Sequence, residues 1–188
     1  EFVEKSPQFW QLYGKYREKI EKMIQEDFNI LDKLYFIIDF PELIKFNIRS
    51  SLIKKLLKSK IKFSTIKLRV DFDNILASSY IQLHNKQPNQ LLNDFEICIP
   101  NSIVHDTGGV KREWFTKLAK EIFNQNYGLF DCCEKTMSYQ PSPNSYIHPN
   151  HIKYFRFIGQ FVARSLIEGI CIDAHFTPSF LKQILHYK

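Results

Sequence analysis

Four cysteines and six histidines are the side chains here with chemistry to offer. A thiolate is a nucleophile and a metal ligand, and an imidazole is a base or a ligand. A Cys–His–acid hydrolase can be drawn from His105, Asp106 and any cysteine, but no spacing selects it. Cys132 and Cys133 with His148 or His151 would make a zinc site unlike the familiar Cys-x-x-Cys arrangements. No Gly-x-Ser-x-Gly elbow supplies a serine nucleophile. The Gly108-Gly109 pair lacks the longer glycine-rich spacing of a phosphate loop. Cys98 stands between Ile97 and Ile99, and Cys171 between Ile170 and Ile172, so both read as small buried hydrophobes. Cys132 and Cys133 read as the better exposed thiols. No catalytic residue, metal ligand or cofactor is assigned.

The stretch Asp106-Thr107-Gly108-Gly109-Val110-Lys111-Arg112-Glu113-Trp114-Phe115 is the chain's strongest local signal. Two glycines permit backbone angles and close approaches that a Cβ forbids. Beyond them Val110, Trp114, Leu118 and Ile122 recur every four residues, with Phe115 and Phe123 widening the stripe, which predicts an amphipathic helix. Asp106 and Glu113 suit its N-terminus, whereas Lys111 and Arg112 oppose the helix dipole. An acidic partner for Arg112 is expected elsewhere in the fold.

The elements around it follow from the same rules. Ser6-Pro7 is a helix start, and Phe9, Tyr13, Tyr16, Ile20 and Ile24 form a stripe over residues 7–26. A short helix is expected from Ile30 to about Asp39, stopped by Pro41, and a third after Asn47 with Ile48, Leu52 and Leu56 inward. Ile66, Leu68 and Val70 alternate as a strand; Asp73 then caps a helix through Leu83, and Phe95, Ile97 and Ile99 alternate again. Gly128 reads as a left-handed cap, Thr136 to Gln140 as strand-like, and Pro141 to Ser145 as a turn-rich loop. The longest helix runs from Pro149 to Glu168 with a seam of Ile152, Phe155, Ile158, Val162 and Leu166, broadened by Phe157, Phe161 and Ile167. Gly159 in its middle suggests a close crossing. Thr177-Pro178 opens a last helix.

These motifs carry a resemblance. Asp106-x-Gly108-Gly109-x-x-Arg112-Glu113-Trp114-Phe115 resembles the signature in the N-terminal lobe of HECT-type ubiquitin ligases. Tyr127-Gly128-Leu129-Phe130, Pro143-Asn144-Ser145, Tyr154-Phe155-Arg156-Phe157-Ile158-Gly159 and Phe176-Thr177-Pro178-Ser179-Phe180 follow in family order, from about Lys67 onward. Asn150-His151-Ile152 resembles the giant members that carry UBA and WWE modules. Departures are Gln125 for a family proline, Gln160 for arginine, Leu181 for tyrosine, His186 for glycine, and no acid from Asn101 to His105. The resemblance implies an α+β, mainly helical fold: a helical segment over 1–62 and the large subdomain of a HECT N-lobe over 63–188. It also implies that Asp106, Gly108, Gly109, Arg112, Glu113, Trp114, Asn144, Ser145, Phe155 and Gly159 are scaffold, not catalysts. Ubiquitin, an E2 enzyme and substrate lysines are the implied partners, met through a longer protein whose catalytic cysteine and E2-gripping subdomain lie beyond Lys188.

Composition sets bounds. The 188 residues carry 44% hydrophobic side chains, 17 phenylalanines and a net charge of +6, enough for a sizeable core. No apolar run approaches the ~20 residues of a membrane helix, and the cysteines lack the spacing of a secreted disulfide scaffold. The opening Glu1 without a signal peptide suggests a piece of something longer, acting in the cytoplasm and also in the nucleus. The cations crowd Arg49 to Lys62, which leaves one alternative to the ligase reading: a helical module that binds protein or RNA through Lys54–Lys62. Aromatics do not alternate with these lysines, so nucleic acid is not the expected partner.

Overall fold

The hydroxyl of Ser6 accepts the Phe9 N–H at 3.3 Å and Pro7 follows it, and so begins α1, Pro7–Glu26. The computed structural model describes residues 6–27, 29–30, 40–100 and 108–186, in two compact units, Glu1–Ser59 and Lys60–Lys188. The helix expected from Ile30 to Asp39 lies almost wholly outside the described residues, and Asp106 lies outside them too.

The first unit is built on α1 and α2, Phe46–Ser59. Ile24, Ile44, Ile48 and Leu52 form its core, with Ile20 and Ile30 packed against them. The Tyr13 hydroxyl donates to the Leu43 carbonyl at 2.7 Å. Glu21 is the charged member of this interior: its carboxylate takes Arg17 Nε and the Lys45 N–H, each at 3.1 Å. Burial opposes its ionisation, but those hydrogen bonds and the Lys45 charge prevail and hold its carboxyl below the usual range. Leu56, expected inward, is exposed.

The second unit begins with β1, Lys62–Arg69. A crossover through α3, Ile75–Leu83, and the single turn α4, Pro88–Leu91, returns the chain to β2, Asn93–Cys98, which pairs parallel with β1. The N-cap of α3 is Asn74, not Asp73; Asp71 instead takes the Asp73 N–H and the Asn74 amide. Then come α5, Gly109–Ile122, and the hairpin β3, Phe130–Cys133, with β4, Ser138–Pro141. A 3-10 turn over Pro143–Ile147 leads into α6, His151–Glu168. The two-residue strand β5, His175–Phe176, joins β4 in parallel, and α7, Pro178–Ile184, follows with Thr177 as its side-chain cap. The molecule is α+β and mainly helical.

One core fills this unit. Leu68, Phe95 and Ile97 from the strands and Val70 just past β1 meet Leu76 and Leu83 of α3, Trp114, Phe115, Leu118 and Ile122 of α5, and Phe157 and Phe161 of α6. The buried face of α6 is turned from the seam read in the sequence. Phe157, Ile158, Phe161, Arg164, Ser165 and Ile167 are inside, while Ile152 and Leu166 are exposed at 67% and 58%. The bulky rings decide the phase, since burying two phenylalanines outweighs burying Ile152 and Leu166 at the helix margins.

Candidate functional site

The N-terminus of α5 gathers most of the sequence signals. Gly108 caps it with φ +90°, a backbone angle that strains any residue with a Cβ. One turn in, the two cations that oppose the helix dipole part company. Lys111 lies four residues before buried Phe115 and shares its inward side. Its Nζ reaches Asp94 Oδ1 at 3.0 Å and Glu168 Oε1 at 3.6 Å. Arg112 lies four before exposed Thr116 and points to solvent. No carboxylate pairs with Arg112 among the described residues, so the acidic partner expected for it belongs to its neighbour. Glu113 is ion-paired on the surface with Lys117 at 2.8 Å.

Trp114 is fully buried. Its Nε1–H donates to Ser79 Oγ at 2.9 Å, which satisfies the indole's one polar atom inside the core. Phe115 and Phe161 meet the indole edge-on at 4.7 Å and 5.7 Å.

Beside Lys111 sits a residue that sequence reading passed over. Arg164, on α6, is 1% exposed. Its Nη1 donates to the Leu91 and Asn93 carbonyls at 3.1 and 2.6 Å. Its Nη2 is 3.4 Å from Asp94 Oδ1 and hydrogen-bonded to Glu168. The guanidinium carbon lies 4.3 Å from the centre of the Phe95 ring. Two cations and two carboxylates thus join α4, β2, α5 and α6, next to a shallow cleft of about 300 Å³ lined by Thr65, Asp94, Phe95, Glu96, Gly108 and Lys111. Burial works against the Asp94 charge; Lys111, the Phe95 N–H and Arg164 together outweigh it and hold the carboxyl below its usual range. A signal was available: Phe157, Phe161, Arg164 and Glu168 are spaced four, three and four, which places Arg164 on the aromatic face.

No cysteine lines the cleft among the described residues. Cys98 and Cys132 are half-buried, and Cys133 and Cys171 are exposed, so Cys171 is not the buried hydrophobe its isoleucine neighbours suggested. The Cys133 thiol is held below its ordinary range by the Thr136 hydroxyl and by the N–H groups of Thr136 and Lys135. These are hydrogen bonds at a hairpin turn rather than a general base. Among the described residues no group of three or more His, Cys, Asp or Glu is placed to hold a metal ion.

Comparison with known proteins decides the family. Residues 116–188 match the HECT-domain (ubiquitin-transferase) model. The chain is 30% identical to the E3 ubiquitin-protein ligase UPL1 of Arabidopsis thaliana over 182 residues, 93% of this chain and 5% of that protein. It is 28% identical to UPL2 of the same plant over 194 residues, 99% of this chain and 5% of that protein. With the E3 ubiquitin-protein ligase HUWE1 of Mus musculus the identity is 29% over 153 residues, 79% of this chain and 4% of that protein. The chain belongs to the HECT-domain family. It spans about one twentieth of the length of the curated relatives it matches.

The remaining HECT motif residues sit apart from the cleft. Buried Ser145 has its Oγ 3.2 Å from His151 Nδ1, which ties the 3-10 turn to the start of α6; no carboxylate is hydrogen-bonded to that imidazole among the described residues. Asn144 is exposed and donates its backbone N–H to Ser142 Oγ at 3.3 Å. Phe155 is half-buried and meets Phe130 edge-on at 5.5 Å. Gly159 makes no close crossing: it is exposed, and a Cβ there would meet nothing within 4 Å. The expected crossing is therefore withdrawn. Gly159→Ala should raise the stability of this unit by up to about 1 kcal/mol, the helix-propensity difference. Thermal denaturation of the variant beside the parent checks it, and a lowered midpoint would reveal a neighbour that the open space denies.

Proposed function

We propose that this chain is the larger subdomain of a HECT N-lobe, with its preceding helices, in a ligase that accepts ubiquitin from an E2 as a cysteine thioester and passes it to substrate lysines. The chain itself acts as scaffold. The observation that carries the reading is where the HECT motif residues fall: Trp114, Phe115, Phe157 and Ile158 build one core, and no cysteine is hydrogen-bonded to an imidazole or carboxylate among the described residues. A thioester-forming cysteine must be exposed and poised as a thiolate. Cys133 is exposed, but what favours its thiolate is a hydroxyl and two backbone N–H groups, and the Glu134 charge opposes them. Ubiquitin, the E2 and the substrates are engaged through the longer protein, in the cytoplasm and also in the nucleus.

The test mixes the purified chain, and separately the full-length product of its gene, with E1, a panel of E2 enzymes, ubiquitin and ATP. Gels run with and without reductant should show a reductant-sensitive adduct, one ubiquitin heavier, for the full-length protein alone. The same adduct on the 188-residue chain, lost in Cys133→Ser, would sink the scaffold reading. Its absence from the full-length protein with every E2 would sink the ligase reading.

A further inference from the structure

Helix α2 has two apolar sides. Ile48 and Leu52 are buried in the first unit's core. Phe46 and Ile53, seven residues apart and so nearly in line along the helix, are turned away from them and exposed at 76% and 54%; exposed Leu56 widens the stripe. Isolated apolar side chains on a surface need no explanation, but a row of three on one helix marks a place for contact.

The charge around that row is of one sign. Arg49, Lys54, Lys55 and Lys58 are the ionisable residues of α2, and none of them is ion-paired among the described residues. No acidic residue stands between Glu42 and Asp71 in the sequence. Arg49 lies in the first turn, where the helix dipole disfavours a cation. Its guanidinium carbon is 5.9 Å from the centre of the Phe46 ring, and its Nε–H finds no acceptor among the described residues.

We propose that this outer side of α2 docks an acidic amphipathic segment of a partner protein, with apolar side chains on Phe46, Ile53 and Leu56 and carboxylates toward Arg49, Lys54 and Lys58. Charge complementarity selects the occupant and sets its register. A nucleic acid would satisfy the cations but leave Ile53 and Leu56 against its backbone, with Phe46 the one ring on α2 for a base to stack on. An anionic lipid surface calls for a broader apolar face than three side chains. The proposal does not depend on the ligase reading.

The probe is a fluorescein-labelled synthetic helical peptide with leucines on one side and glutamates flanking them, titrated with the 188-residue chain by fluorescence anisotropy. Saturable binding is expected, weakened at least tenfold by Ile53→Glu and by the double change Lys54→Glu with Lys58→Glu. The double variant should instead prefer the same peptide with lysine at every glutamate. Both sets of changes are at exposed positions, and their circular dichroism melts should match the parent. Failure to bind, equal binding of a peptide with its leucines scrambled at constant charge, or no charge-swapped preference in the folded double variant overturns the proposal. So does tighter binding of single-stranded RNA or phosphatidylserine vesicles than of the leucine peptide.

Discussion

Trp114→Ala is expected to lower the stability of the Lys60–Lys188 unit by about 3–5 kcal/mol, the range for removing a large side chain from a packed core. The indole is fully enclosed, so little of the vacated space can close by side-chain rotation into solvent. Phe115 and Phe161 lose an edge-on neighbour, and the Ser79 hydroxyl is left in the core without its donor. Against the 5–15 kcal/mol that holds typical domains together, the loss brings the unit close to unfolding. Urea denaturation followed by circular dichroism is the measurement. Trp114→Phe should fall between the two, because it keeps a ring in place but still strands Ser79. A Trp114→Ala midpoint equal to the parent's would show that the indole is not a core residue.

Replacing Arg164 should have an effect of similar size. Arg164→Met keeps an apolar stem against Phe95 but removes the donors to two backbone carbonyls and one of the two cations facing Asp94 and Glu168. Removing one member of a buried ion pair costs about 3–5 kcal/mol. Here the lower end is expected, because Lys111 remains and the Asp94 side chain is 51% exposed. The pH dependence separates a charge effect from a packing effect. Asp94 has a folded carboxyl below its unfolded value, so its contribution is fully present above the unfolded pKa of roughly 4 and is lost as the pH falls through the folded value. In Arg164→Met the folded value moves back toward the unfolded one, so the decline in stability on the acid side should be shallower than in the parent. In a Trp10→Phe background Trp114 is the one remaining indole, and its fluorescence reports this unit alone. An acid-side slope identical to the parent's would show that the guanidinium does not act on Asp94.

These two residues also show where sequence reading succeeds and where it stops. Trp114 belongs to a four-residue apolar repeat that opens after two glycines, and both signals are local. Helix α1 was equally plain: an N-cap serine, a proline and a stripe sit within one stretch, and the helix runs Pro7–Glu26. The phase of α6 was misjudged because it carries apolar side chains on two sides, Ile152 and Leu166 on one and Phe157 and Phe161 on the other, so counting hydrophobic residues could not separate Ile152 from Phe157. Arg164 was passed over, although its spacing from the phenylalanines placed it inward. The parallel pairing of β1 with β2 was out of reach in a different way. Two alternating segments announce two strands, but register across an intervening crossover depends on where α3 and α4 pack. Gly159 is the opposite error, in which a rare residue on a central helix was given a neighbour it does not have.

The short strand β5 has a bearing on how the chain is made. Ser138 and Tyr139 of β4 pair with His175 and Phe176, and the Thr177 N–H closes the row on the Tyr139 carbonyl at 3.0 Å. During synthesis the hairpin emerges first, with one margin of β4 carrying N–H and C=O groups that have no partner yet. At about 5–20 residues per second, the ribosome needs a few seconds to deliver the two residues that cover it. All of α6 is made in that interval, and the core residues its buried face packs against, on α3, β2 and α5, have already been made. The nascent chain therefore passes through a sticky interval in which a chaperone, or a neighbouring nascent copy, competes for the place that His175 and Phe176 finally take.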